Sequence, residues 1–134
     1  MNEKSKAKML EQKKKIVEGL KMNFPNLPLF EDEIAEDEEK VFIDSKYHLA
    51  ILIMGDFSPS SNSAAILTQA FSVEYYSEDR DDVDEFLLDI ITIIDAVPTV
   101  SFRRTRKVRM KVANMDRYVD VVTIDFTRSV KYAC

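Results

Sequence analysis

Glycine is nearly missing from this chain: Gly19 and Gly55 are the only two among 134 residues. With two glycines so far apart, neither GxGxxG nor GxxxxGK can be written, which excludes glycine-rich phosphate loops. Cysteine is scarcer still. The single one, Cys134, is the last residue, so an intramolecular disulfide is excluded and a reducing compartment suits the chain. One histidine, His48, leaves no Cys/His set at zinc-ligand spacing. Long apolar runs are lacking as well. Leu49 to Met54, one of the longest, is far too short to span a bilayer. Lys4 to Lys15 is too charged for the apolar core of a signal peptide. The expectation is a soluble protein that stays where it is made or leaves as part of something larger.

What the chain does have is charge, gathered in blocks. The first 22 residues carry seven lysines against three glutamates. Glu31 to Glu39 is acidic except at Ile34 and Ala35, and Glu78 to Glu85 is acidic except at Arg80 and Val83. Arg103 to Lys111 holds six cations and no anion: Arg103, Arg104, Arg106, Lys107, Arg109 and Lys111. The net charge of -5 hides this division. A surface divided in this way can set a positive patch against a negative one on another copy or on a fixed partner. The acidic pI of about 5.0 argues against general nucleic-acid binding.

At this length the expectation is one domain, with an ordinary apolar content and a modest core. Residues 5–22 are predicted as a helix whose apolar side carries Met9, Leu10, Ile16, Val17 and Leu20. Pro25 and Pro28 end it. The acidic run 31–39 is expected as a solvated loop, and residues 1–4 and 133–134 as frayed ends. From Lys40 the chain reads as strand-like, with Val41 to Ile43 and then Tyr47 to Met54. Gly55 to Ala64, rich in Ser, Asn and Pro, is predicted as a polar loop, and Leu67 to Tyr76 as a second strand.

The helical repeat of Val83, Phe86, Leu87, Ile90, Ile91 and Ile94 predicts a helix over 78–96, with Ser77 as its N-cap. Two further strands are predicted, Thr99 to Val112 and Tyr118 to Tyr132. In the second, Val122, Ile124, Phe126, Val130 and Tyr132 alternate with polar residues. The expected fold is α+β: a four-stranded, mainly antiparallel sheet with two helices on one face, in the order α-β-β-α-β-β.

Catalytic equipment is sparse. His48 lies inside a predicted strand, and pairing it with a thiol would require the terminal Cys134. Asp79, Asp81 and Asp82 do not follow the calcium-loop pattern, which needs a central glycine; the acidic run 31–39 offers at most weak divalent binding. No metal, cofactor or enzymatic activity is expected. On the basic strand, Lys107, Arg109 and Lys111 alternate with Val108, Met110 and Val112, so one face should be cationic and the other apolar. A protein–protein contact is the favoured reading over phosphate backbone or a solvated edge.

Three stretches carry a likeness: NFPNLPLF (Asn23–Phe30), FSVEYYSEDRDDVDEFLLDI (Phe71–Ile90) and DVVTIDFTRSVKY (Asp120–Tyr132). With their order of elements, they resemble the tail terminator, or tail completion, proteins of long-tailed bacteriophages over most of residues 15–132. The resemblance implies a structural virion protein, made in the host cytoplasm and located at the tail end in the neck. It implies a ring, usually of six copies, that caps the tail tube protein and docks onto a head completion or connector protein. The site residues it suggests are the six cations above, the acidic Glu31, Asp32, Glu33, Asp79, Asp81 and Asp82, and a docking loop with Asp56, Phe57, Ser58 and Pro59. The alternative is a small intracellular protein-binding module of immunity or regulatory type.

Overall fold

Alternating apolar residues pair into one sheet. The computed structural model describes residues 1–60 and 63–132. Among them the strands are β1 (Leu29–Glu31), β2 (His48–Ser60), β3 (Ser63–Ser77), β4 (Val100–Lys111) and β5 (Tyr118–Lys131). The helices are α1 (Glu3–Asn23), α2 (Glu36–Asp44) and α3 (Val83–Asp95). The strand order is β1-β2-β3-β5-β4. β1 runs parallel to β2, and every other neighbour is antiparallel. The α+β class holds. The count differs from the expected four strands and two helices, because three-residue β1 is too short to show a period and α2 carries too much charge to read as structure.

Strand parity divides the core in two. Phe71, Val73 and Tyr75 of β3 and Val122, Ile124 and Phe126 of β5 pack with Ile16 and Leu20 of α1 and Leu87, Ile90 and Ile94 of α3. The opposite parity brings Leu49, Ile51, Val119 and Val121 against Phe42 of α2. Both sheet faces are therefore covered in part, by α1 and α3 on one side and α2 on the other. The expected single helical face is corrected accordingly.

Other expectations change for local reasons. Val41, Phe42 and Ile43 are helical, because four consecutive acids at the start of α2 suit the positive end of its dipole while Phe42 is buried. Glu31 thus ends β1 and Glu36 to Glu39 open α2, so only residues 32–35 of the expected loop are irregular. The predicted polar loop is corrected too: Asp56, Phe57, Ser58 and Pro59 belong to β2, with Phe57 opposite Gln69, Ser58 opposite Thr68 and Pro59 opposite Leu67. β1 reaches only Leu52 of β2, so Pro59 lies where no outer strand needs its missing N–H.

α3 starts at Val83, not at residue 78. Ser77 instead ends β3, buried, with an Oγ that has no partner among the described residues. Leu10 of α1 is 72% exposed and Tyr132 is 43% exposed, so neither joins the core. α1 opens at Glu3, inside the stretch expected to fray. Residues 133–134, including Cys134, lie outside the described residues.

Candidate functional site

β4 is an edge strand, and its cations stay at the surface because none of the described residues covers its outer half. The register shifts between Phe102 and Arg104. Beyond that bulge the strand alternates regularly, so Lys107, Arg109 and Lys111 share one face as expected, while Arg104 and Arg106 fall on the face of Val108 and Met110, which is therefore not purely apolar. Lys107 and Arg109 stand opposite Val122 and Asp120, on the α1/α3 side. Arg104 and Arg106 stand opposite Asp125 and Thr123, on the α2 side, together with Val108 and Met110. Val108 is 59% exposed.

On the α2 side, beyond the reach of α2, lies an open hollow of about 450 Å³. Ile53, Gly55, Ala70, Ser72 and Thr127 line its floor, and Arg103, Arg104 and Arg106 its rim. Small residues make the depression. At Gly55 a Cβ would come within 2.8 Å of the Ala70 carbonyl oxygen, so a larger residue enters only if the strands shift. Arg104 Nε and Arg106 Nε both donate to Asp125 Oδ2, at 3.2 and 3.1 Å. Arg103 Nε donates to Thr127 Oγ1 at 3.2 Å. Burial alone would raise the Asp125 pKa, but the guanidinium groups of Arg106 and Arg104 outweigh it and hold the carboxyl below its ordinary range. Two guanidinium groups thus share one carboxylate while Arg103 meets only a hydroxyl, and the hollow keeps an excess of positive charge.

The acidic residues are divided among other sites. Glu31 meets Lys13 at 2.7 Å, at the β1 edge. Asp32 follows with φ 67°, in the left-handed region that Asp tolerates, and Glu33 is exposed beside it. Asp79 pairs with Lys46 at 3.4 Å. Both oxygens of Asp82 accept from Arg80 at 2.8 Å, which leaves no side-chain cap for α3. Asp81 is exposed. Of the acidic and basic residues singled out in the sequence, only Asp79 and Arg109 come to line one hollow, and no ion pair joins the two sets among the described residues.

Three polar clusters were not foreseen. Glu78 is buried, accepting from Arg117 Nε at 2.8 Å and Nη2 at 2.7 Å and from the Tyr47 N–H at 3.1 Å. Arg117 also donates to the carbonyls of Ile43 at 2.5 Å, Phe42 at 3.2 Å and Ser45 at 2.5 Å, which closes the C-terminus of α2. The Arg117 hydrogen bonds keep the Glu78 pKa low against the opposing effect of burial.

Arg128 is buried on the α1/α3 side of β5. It donates to Gln69 Oε1 at 2.9 Å and the Met9 carbonyl at 3.1 Å, with no carboxylate partner among the described residues. Its pKa is lowered by that burial. Gln12 of α1 is buried nearby, donating to Thr99 Oγ1, while its own Oε1 has no partner among the described residues.

His48 Nδ1 lies 3.1 Å from Tyr75 Oη and 3.3 Å from Arg80 Nη1, with Phe86 edge-on at 5.5 Å. Burial first, and then Arg80, push its pKa down. Burial likewise pushes Tyr75 up to about 12. The signal for Arg128 and Gln69 was available: both fall on apolar parity in their strands. Arg117 gave no such signal.

No family model matches this chain, and no curated protein matches it. Among the described residues no helix is long and apolar enough to cross a membrane.

Proposed function

We propose that this chain is a structural virion protein that caps the head-proximal end of a phage tail tube and joins the tail to the head, working as a ring of identical copies. The observation that carries this reading is the cationic hollow beside β4, whose three arginines are only partly offset by Asp125, on the sheet face opposite the exposed acids of α3. Charge divided in this way is satisfied between copies through heterologous contacts, and such contacts close into rings when the rotation allows. The likeness of Asn23–Phe30, Phe71–Ile90 and Asp120–Tyr132 to tail terminators supports the same role, with a tail tube protein below and a head completion protein above.

Tails assembled without this protein are expected to show uncontrolled length or to remain without heads in electron micrographs. Purified protein added back should restore joining. Tails of normal length that join heads in its absence would overturn the proposal.

A further inference from the structure

The cationic hollow calls for an occupant of definite chemistry. Its floor, where Gly55, Ala70, Ser72 and Thr127 surround Ile53, admits a rounded element, and among the described residues its three arginines face only one carboxylate, Asp125. A helix carrying carboxylates around an apolar residue suits both features.

We infer that the outward stripe of α3 from a second copy seats in this hollow, an assignment that rests on the proposed self-assembly of the chain. The stripe is Asp84, Glu85, Leu88 and Asp89, at helical spacing on the solvent side. None of its three acids makes an ion pair among the described residues. The helix dipole accounts for Asp84 and Glu85 in the first turn. It does not account for Asp89, or for Leu88 standing 63% exposed between acids.

The other acidic surfaces fit less well. Glu31, Asp79 and Asp82 already hold cations of their own chain. α2 also bears acids and an exposed Val41, but it lies on the same side of the sheet as the hollow. Docking α2 would pair two copies face to face in a closed dimer. α3 lies on the opposite side, so its docking runs front to back and can continue from copy to copy.

The test uses two single-cysteine variants of the full chain, Leu88→Cys and Ser72→Cys, each with Cys134→Ser. Mixed at low salt and mildly oxidised, they should give a disulfide-linked pair, which high salt suppresses. A second measurement uses charge: Asp84→Lys with Asp89→Lys should weaken self-association about tenfold, and Arg104→Glu with Arg106→Glu in the mixing partner should restore it. If the wild type assembles but Leu88→Cys and Ser72→Cys fail to link, or Val41→Cys links to Ser72→Cys instead, the α3 assignment is overturned. If the wild-type chain sediments as a monomer at low salt under every concentration tried, self-assembly itself falls, and the α3 assignment with it.

Discussion

Arg117 and Glu78 join segments far apart in the chain: the C-terminus of α2, the end of β3 and the turn before β5. The carboxyl of Glu78 is held below its ordinary value of 4.5 in the folded chain. The unfolded chain binds that proton more readily, so the stabilisation is present at neutral pH and fades as pH falls below 4.5 through the folded pKa. Glu78→Gln should cost about 2 kcal/mol at neutral pH, from lost charge-assisted hydrogen bonds. Urea unfolding at several pH values should show a smaller acid-driven loss in the variant than in the wild type.

His48 acts in the same direction at higher pH. Its folded pKa lies below 6.5, so protonation favours the unfolded chain, and stability should fall as pH drops below 6.5. His48→Gln should flatten the difference between urea midpoints measured at about pH 7.5 and about pH 5.5. An unchanged difference would mean that another group dominates that range.

Elements were legible where the period was strong and the packing local. α3 shows its repeat plainly, since Val83, Leu87, Ile90 and Ile94 are all buried. β5 is equally plain, because Val122, Ile124 and Phe126 face a continuous core. α2 was hidden because Glu36 to Glu39 reads as a solvated run and Val41 to Ile43 reads as β, while the burial of Phe42 under a second sheet face is a tertiary effect. The outer half of β2 was hidden by loop-like composition that pairing with β3 overrides. At the candidate site the six cations were legible as a block. The shared face of Lys107, Arg109 and Lys111 was legible by simple alternation; the side taken by Arg103 was not, because the bulge between Phe102 and Arg104 leaves no mark in the sequence. Gly55 belongs to this scale as well. Gly55→Ala should cost about 1–3 kcal/mol, because β2 must move off the Ala70 carbonyl to admit the methyl group. Thermal unfolding of the variant measures it, and an unchanged midpoint would show that the strands yield freely.

Across the whole molecule, the ion pairs within a copy leave charge over on both sides of the sheet: three arginines share the hollow with one carboxylate, and Asp84, Glu85 and Asp89 have no ion pair among the described residues. The sheet keeps the arginine hollow on the α2 side and the exposed acids of α3 on the other. Surface charges of this kind are screened over about 8 Å at physiological ionic strength. Self-association should therefore weaken steeply with added salt, while the unfolding midpoint of the monomer changes little. Sedimentation velocity across a salt series checks the first expectation and thermal unfolding the second. An oligomer indifferent to salt would point to the exposed apolar residues, Val108 and Met110, as the main contact.

Arg128 also sets an order in time. Until α1 lies down, its guanidinium can keep its water; afterwards its partners among the described residues are Gln69 and the Met9 carbonyl. Stripping that water opposes the landing of the first helix, so the sheet and α3 should be in place before the N-terminal segment closes over them. α1 precedes the whole sheet in sequence and would then settle after it.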